Sequence, residues 1–296
     1  MLRISIEKKT LHFKQPAGTS RGVYTERDIL LLTMYDTCSP ENVGVGECAP
    51  LPDLSCDASE NYEKRLREIC NVVEQTGRID GSLLSPYPSM LFGLETAYLN
   101  MKNGRYLFDT PFSHGRCGIP INGLVWMGTA EEMNFRMEEK IKAGFSCVKL
   151  KIGAIDFESE LALVKSIRKR FSKDVIELRV DANGGFSPAE AMERLEVLAR
   201  YDIHSIEQPI RQKQWSEMAR LCSTTPLPIA LDEELIGVNM KAMKEELLSV
   251  IKPQYIVLKP TLHGGMRGTE EWVVLARQHG IGSWITSALE GSVGLN

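Results

Sequence analysis

Apolar residues recur with more than one period along this chain. Near the N-terminus they alternate with polar residues, as at Leu2, Ile4 and Ile6, and further β-rich runs cover 29–35 and 44–47. Alternation with a period of two places apolar side chains on one face of an extended chain. The first 60 residues or so therefore predict a meander of strands.

Two amphipathic helices are predicted after the meander. Residues 58–75 and 89–100 place their apolar side chains near helical spacing. A run of strands followed by helices is typical of an α+β unit. We predict such a unit over residues 1–112.

Beyond residue 112 the sequence repeats a strand followed by a helix. Helices predicted over 157–170 and 188–200 open with capping or acidic residues. This alternation is typical of parallel strands covered by helices. The seven predicted strands are 119–125, 146–152, 176–183, 203–208, 228–233, 255–260 and 282–288.

These strands carry charged residues on one face, which separates a barrel from a doubly wound sheet. A parallel sheet covered on both faces has strands that are apolar throughout. Here Val148 and Leu150 alternate with Lys149 and Lys151, and later strands alternate in the same way. We therefore predict an α/β fold with a (β/α) barrel over residues 113–296, whose charged residues line its mouth.

Composition favours a small-molecule partner. A net charge of −4 without a basic cluster lacks the signature of a nucleic-acid-binding protein. The sequence has neither a long apolar stretch nor a signal peptide pattern, so we expect a cytoplasmic protein without a membrane span. Seven cysteines without a CxxC pair predict buried free thiols.

The sequence does not determine the oligomeric state, and a homo-oligomer is compatible with it.

Three carboxylates end successive predicted strands. Asp181, Glu207 and Asp232 follow one another at intervals of about 25 residues, which is one strand and helix. The C-terminal ends of barrel strands meet at one face, where barrel enzymes carry their active sites. Converging carboxylates repel one another unless a cation neutralises them. The pattern predicts a site for a hard divalent ion, Mg²⁺ or its substitute Mn²⁺.

Lysines are predicted on both sides of this site. Lys149 and Lys151 share the inward face of the second barrel strand, and Lys259 ends the sixth strand across the ring. Repulsion within the pair and a nearby dication should lower a lysine pKa and supply a neutral amine as general base. We expect Lys151 to be the base and Lys149 an electrostatic helper.

Other polar residues have plainer explanations. A single charged residue at a strand end is more often solvated or ion-paired than catalytic, so the prediction depends on the whole set. Arg179 lies a layer deeper and is expected to pair with a carboxylate. Gly264 and Gly265 could hold an anion but more often form a turn. The five histidines show no metal-ligand spacing.

The ordered motifs resemble the enolase superfamily, in its muconate-lactonizing-enzyme branch and especially the o-succinylbenzoate synthases. The resemblance covers most of the chain. Its barrel motifs are Lys149-Leu150-Lys151, Asp181-Ala182-Asn183, Glu207-Gln208-Pro209, Asp232-Glu233 and Leu258-Lys259-Pro260, and outside them it includes 44–52, 94–97 and 120–124.

The resemblance implies a capping domain over residues 1–112 and Mg²⁺ on the three strand-end carboxylates. It implies that Lys151 removes the proton next to a substrate carboxylate and then protonates a departing hydroxyl. Lys259 would stabilise the enediolate by its charge. The implied reaction is the dehydration of 2-succinyl-6-hydroxy-2,4-cyclohexadiene-1-carboxylate to o-succinylbenzoate in menaquinone synthesis.

Substrate contacts are also expected. Asn183 and Ser287 are predicted to touch the substrate, and loops over 14–28 and 50–57 are predicted to close over it. The family pattern continues beyond Asn296 with a helix and an eighth strand. We therefore expect an open barrel in this sequence, truncated before that closing segment.

Three alternatives stay open. The same residues suit an N-acylamino acid racemase, a dipeptide epimerase or a muconate cycloisomerase, in which Lys151 and Lys259 act as opposed acid and base. A Schiff-base lyase would use a barrel lysine without a metal. A truncated remnant would keep the metal site without turnover.

Overall fold

The computed structural model describes residues 1–19, 22–126, 128–153 and 156–296. Its first sheet is antiparallel, with the order β1-β2-β3. The strands are β1 (Leu2–Thr19), β2 (Gly22–Asp36) and β3 (Ser39–Cys48). The predicted meander is confirmed.

The loop predicted over 14–28 is wrong for the described residues, which belong to β1 and β2. The two strands pair from Leu2 opposite Asp36 as far as Thr19 opposite Gly22, with a change of register after His12. Because each strand satisfies the backbone polar groups of the other, the described residues of this polar stretch form paired antiparallel strands. Residues 50–57 form turns between β3 and the first helix, as the second predicted loop requires.

Three helices follow the first sheet: α1 (Tyr62–Thr76), α2 (Gly81–Leu84) and α3 (Pro88–Asn103). The longest of them, α3, lies against β3 at unusually short range. A Cβ atom at Gly44 would lie 2.0 Å from the Ala97 carbonyl oxygen, and one at Gly46 would lie 1.9 Å from the Gly93 carbonyl oxygen. The glycines of β3 therefore allow direct contact between the backbones of helix and strand.

The second sheet has seven parallel strands in an open series from β10 to β4. They are β4 (Gly123–Val125), β5 (Cys147–Lys151), β6 (Glu177–Asp181), β7 (Ser205–Glu207), β8 (Ile229–Leu231), β9 (Tyr255–Leu258) and β10 (Gly282–Ile285). Every predicted barrel strand is confirmed, although each is shorter than predicted. Strands that are adjacent in the sequence are adjacent in the sheet. Together the seven strands form a (β/α) half-barrel.

Helices connect and cover these strands: α4 (Ala130–Lys142), α5 (Phe157–Arg170), α6 (Pro188–Ala199), α7 (Trp215–Thr224), α8 (Lys241–Ile251), α9 (Gly265–Gln278) and the short α10 (Ser292–Leu295). A 3-10 turn spans Glu233–Leu235. Apolar strand residues such as Leu150, Leu178 and Ile206 are buried in one core with helix residues such as Val164 and Leu195. This face of the sheet supplies the hydrophobic stabilisation.

The N-terminal unit contacts the barrel through a buried carboxylate. Glu95 of α3 accepts hydrogen bonds from the backbone N–H groups of Met266 (2.6 Å) and Arg267 (3.4 Å), at the first turn of α9. A Cβ atom at Gly265 would lie 2.5 Å from Glu95 Oε2. Gly264 and Gly265 thus form the turn into α9, and the anion at that helix end is the protein's own Glu95.

Two simpler predictions are also tested by the structure. The seven cysteines are free, but the prediction that they are buried is wrong for Cys38, Cys56 and Cys117, which are exposed, and for Cys147, which is partly exposed. A small thiol is tolerated at the surface as well as in the core.

Among the described residues, no helix combines the length and the apolar character that crossing a membrane requires.

Candidate active site

The strand order brings the predicted site residues together at one end of the sheet. Lys151 lies opposite Asp181 in the register of β5 and β6, and Asp181 lies opposite Glu207 in that of β6 and β7. Asp232 and Lys259 directly follow β8 and β9. The two lysine-bearing strands β5 and β9 are separated by three strands, each of which leads to one carboxylate.

Ion pairs link the three lysines to the three carboxylates. Lys149 Nζ lies 2.8 Å from Glu207 Oε2 and 3.2 Å from Asp181 Oδ2. Lys151 Nζ lies 2.6 Å from Asp181 Oδ2, and Lys259 Nζ contacts Asp232 Oδ2. The carboxylate side chains are 0–2% exposed, whereas those of the lysines are 12–14% exposed. The lysines therefore lie on the open side of the network.

The pKa values within this network diverge because its members are buried together. Burial disfavours the charge on Asp181, but attraction to Lys151 and Lys149 is stronger and lowers the pKa of Asp181. Burial and the nearby charge of Asp181 raise the pKa of Glu207 to about 8. One carboxyl group therefore holds its negative charge strongly while its neighbour resists ionisation.

Two of the lysines have raised pKa values. Burial disfavours the charge on Lys149, but Glu207 and Asp181 outweigh it and raise the pKa of Lys149. The same balance, with Asp232 as the main attracting charge, raises the pKa of Lys259. The sequence predicted that repulsion within the lysine pair, together with a dication, lowers a lysine pKa. In this structure the carboxylates instead raise the pKa of Lys149 and Lys259, and a dication would compete with the lysines for these carboxylates.

The carboxylates fit a hard cation by their chemistry. Oε1 of Glu207 and Oδ1 of Asp232 are buried and have no hydrogen-bond partner among the described residues. A buried carboxylate oxygen without a donor calls for another positive partner, and an all-oxygen set suits Mg²⁺. Within the described ranges, no group of three or more His, Cys, Asp or Glu side chains is arranged to hold a metal ion. Lys149 Nζ lies between Asp181 and Glu207.

Asn183 holds Lys151 in place. Its backbone has a positive φ of 44°, a conformation that asparagine tolerates better than most residues. Its Oδ1 accepts from Lys151 Nζ at 2.7 Å, and its Nδ2 donates to Glu233 Oε1 at 2.9 Å. Asn183 also lines the cavity, so the predicted substrate contact and this orienting contact are compatible.

A cavity of about 1420 Å³ opens onto the lysines. Its lining includes Lys149, Lys151 and Lys259 together with Ser287, and it extends to Tyr24 of the N-terminal unit. Such a volume accommodates a small organic acid. Within β6, Arg179 pairs with Glu177 (2.6 Å) and lies over the Trp284 ring. The predicted carboxylate partner is present, but the two side chains are 19% and 37% exposed and the pair is not buried.

Sequence reasoning missed the residues that support this site. His263 accepts a hydrogen bond from the backbone of Lys259, and Glu47 accepts from the backbone of Gly291 and Gly294 near Ser287. The only sequence signal for His263 was its place four residues after Lys259. Glu47 lies within a motif of the resemblance, but its partners are more than 240 residues away along the chain.

The fold and the site define a class of protein. Residues 132–296 match the family described as Enolase C-terminal domain-like. The chain belongs to this family, and therefore to the enolase superfamily, as the ordered lysine and carboxylate motifs predicted.

Particular relatives extend the match beyond the barrel. The chain is 42% identical to an o-succinylbenzoate synthase from Desulfotalea psychrophila, over 99% of this chain and 88% of that protein. The crystal structure of MenC from the same organism has a TM-score of 0.82 at 38% identity, covering 99% of this chain and 88% of that one. An o-succinylbenzoate synthase structure from Thermosynechococcus elongatus, complexed with Mg in its active site, has a TM-score of 0.76 at 25% identity, covering 98% and 86%.

Proposed function

We propose that this protein is a lyase that dehydrates 2-succinyl-6-hydroxy-2,4-cyclohexadiene-1-carboxylate to o-succinylbenzoate. The observation that carries the proposal is the meeting of three lysines and three buried carboxylates at one end of the barrel. The similarity to an o-succinylbenzoate synthase over nearly the whole chain supports this reaction above others that the same residues could perform.

Lys151 is the group that moves the proton in this proposal. Its neutral amine takes the proton from the carbon next to the substrate carboxylate, and its ammonium form returns that proton to the departing hydroxyl, which leaves as water. One C–H bond and one C–O bond break while a ring double bond forms. Asn183 Oδ1, 2.7 Å from Lys151 Nζ, keeps the amine oriented through both steps.

Lys259 and Lys149 supply fixed positive charge. Negative charge develops on the substrate carboxylate as the proton leaves, and preorganised cations stabilise it without reorganisation. Lys259 acts from the side opposite Lys151, since β9 and β5 are separated by three strands. Lys149 Nζ lies between Asp181 and Glu207.

Asp181, Glu207 and Asp232 are the residues that would hold Mg²⁺, with Mn²⁺ as a substitute. When bound, this ion supplies a Lewis acid for the substrate carboxylate. The unpartnered oxygens of Glu207 and Asp232 support this assignment. A relative with Mg in its active site supports it independently.

The N-terminal unit completes the proposed site. We assign residues 1–112 as a capping domain and 113–296 as the barrel domain, because Tyr24 and Leu54 line the same cavity as the barrel lysines. Ser287 is proposed as a substrate contact from the loop after β10. The cytoplasmic location stays a prediction from the sequence.

The assay that tests the proposal follows the aromatic product. Protein supplied with Mg²⁺ should convert the cyclohexadiene substrate to o-succinylbenzoate, detected by chromatography and ultraviolet absorbance, and a chelator should stop the conversion. Solvent-deuterium exchange into N-acyl amino acids or dipeptides, without dehydration, would instead establish a racemase or epimerase. Activity that survives chelation, with substrate trapped by borohydride, would overturn the metal-dependent mechanism in favour of a Schiff base.

A further inference from the structure

His263 is a fully buried histidine that follows Lys259 by four residues. Its Nδ1 accepts a hydrogen bond from the Lys259 backbone N–H at 2.9 Å. The backbone N–H of His263 donates to the Lys259 carbonyl oxygen at 3.0 Å. His263 therefore makes hydrogen bonds to both the backbone N–H group and the backbone carbonyl group of Lys259.

The location of this pair of contacts explains why they are needed. β9 ends at Leu258, and the sheet pairing between β9 and β10 ends at the same residue. The Lys259 N–H therefore lies just past the sheet, where a buried donor without a partner would be costly. The histidine side chain takes the place of the missing strand partner.

The imidazole must be neutral to accept this hydrogen bond. With Nδ1 as the acceptor, the ring proton is on Nε2, which is buried without a partner among the described residues. Burial, together with the nearby charges of Lys259 and Lys244, lowers the pKa of His263. Lys244 is itself buried and donates to the Gly268 carbonyl oxygen at 3.0 Å. The surroundings thus keep Nδ1 available as an acceptor.

We propose that His263 is a positioning residue, which fixes the backbone of Lys259 so that its ammonium group reaches into the carboxylate network. This inference rests on the proposed function, in which Lys259 stabilises developing charge. His263 does not line the cavity, so it acts through Lys259 and not on the substrate. The contact between Lys259 Nζ and Asp232 Oδ2 is the geometry that the histidine maintains.

The kinetic test compares His263→Ala with His263→Asn, both assayed well below their unfolding temperatures. Without the Nδ1 acceptor, kcat should fall by about 100-fold while KM changes little, because a small displacement of a catalytic charge acts mainly on the transition state. The asparagine side-chain oxygen can accept from the same N–H, so His263→Asn should recover most of kcat. Wild-type kcat in folded His263→Ala would overturn the proposal.

A matched control separates positioning from stability. Thr269 is buried in α9 and donates to the Gly265 carbonyl oxygen at 2.7 Å, so Thr269→Ala also removes one buried hydrogen bond from this segment. Thr269→Ala should lower the unfolding temperature but leave kcat within about twofold of wild type. An equal loss of kcat in both variants would contradict a specific role for His263.

A crystal structure of His263→Ala tests the inference without any assay of turnover. The contact between Lys259 Nζ and Asp232 should be lost, whereas in His263→Asn it should remain. If the contact persists in His263→Ala, the positioning role is wrong whatever the reaction is. If wild-type protein fails to dehydrate the substrate but the contact depends on His263, the proposed function fails and the positioning role stands.

Discussion

Buried carboxylates at the junction between the two units and at the barrel mouth differ in how many of their oxygens have a hydrogen-bond partner. At the junction between the N-terminal unit and the barrel, Glu47 accepts from the backbone N–H groups of Gly291 (2.6 Å) and Gly294 (2.9 Å), one on each oxygen. At the barrel mouth, Glu207 and Asp232 are equally buried, yet each keeps one oxygen without a partner among the described residues. The first arrangement is complete without a ligand, and the second is not.

This difference separates structural from catalytic charge. A carboxylate satisfied by backbone N–H groups stabilises the contact it makes and has little capacity left for a ligand. A carboxylate that pairs with a lysine ammonium group and keeps one oxygen without a partner among the described residues can exchange that ammonium group for a cation. Four changes, ordered from the largest expected effect to the smallest, test whether the two regions are as different as this comparison implies.

The largest effect is expected from Lys151→Ala at the barrel mouth. Removal of the proposed base should lower kcat by roughly 10³-fold, because general acid and base catalysis by a positioned group is of that order. Steady-state kinetics of the dehydration reaction measure it. Lys169→Ala, an exposed lysine of α5, is the matched control and should retain activity. Equal activity in the two variants would remove Lys151 from the mechanism.

Glu207→Gln should weaken Mg²⁺ binding and lower kcat/KM, each by about 100-fold or more, because a neutral amide replaces a proposed ligand. Calorimetric titration with Mg²⁺ measures the binding, and it does not depend on turnover. Glu47→Gln provides the contrast, since the same substitution at the junction should leave Mg²⁺ affinity within about twofold. Unchanged affinity in Glu207→Gln would show that the ion is held elsewhere.

Glu47→Gln should instead reduce the free energy of unfolding by about 2 kcal/mol. An amide cannot accept from both glycine N–H groups, so one of these two partly buried donors loses its partner. Denaturant unfolding with and without Mg²⁺ measures the change. Stability equal to wild type would mean that water replaces the lost contact and that the junction carboxylate is dispensable.

The last change concerns Asp57, a buried carboxylate of the N-terminal unit that has one oxygen satisfied and one oxygen without a partner among the described residues. It accepts from Ser89 N (2.9 Å) and Ser89 Oγ (2.6 Å) through Oδ2, while Oδ1 has no partner among the described residues. Burial raises its pKa from 3.8 to about 6. Between pH 3.8 and about 6, the folded state therefore keeps a proton that the unfolded chain has released.

The sign of the resulting pH dependence follows from that proton. The contribution of Asp57 to stability is fully present below pH 3.8 and is lost as the pH rises through about 6. Relative to Asp57→Asn, wild type should lose about 2 kcal/mol between roughly pH 4 and 7. Urea unfolding of both proteins across this range measures the difference. Parallel stability curves would show that the pKa of Asp57 is the same in the folded and the unfolded chain.

The sequence was sufficient for the repeating part of the fold. The repeated strand-then-helix pattern predicted all seven barrel strands. Charged residues on one face of the middle strands indicated a barrel, because each strand must bury one face against helices and present the other inward. The same periodicity placed Lys151, Asp181 and Glu207 on neighbouring strands at one level. Residues that project from regular elements at regular intervals can be located from spacing alone.

The contacts between distant segments, which the periodic pattern of apolar residues does not specify, were decided by the tertiary structure. In the described part of 14–28, β1 and β2 pair because each strand satisfies the backbone polar groups of the other, although the local composition favoured a loop. Glu47, Glu95 and His263 found their roles in contacts that no short-range pattern records. Hydrogen bonds that satisfy buried polar groups depend on where distant segments meet, so the sequence determined the reactive residues and the fold determined what holds them in place.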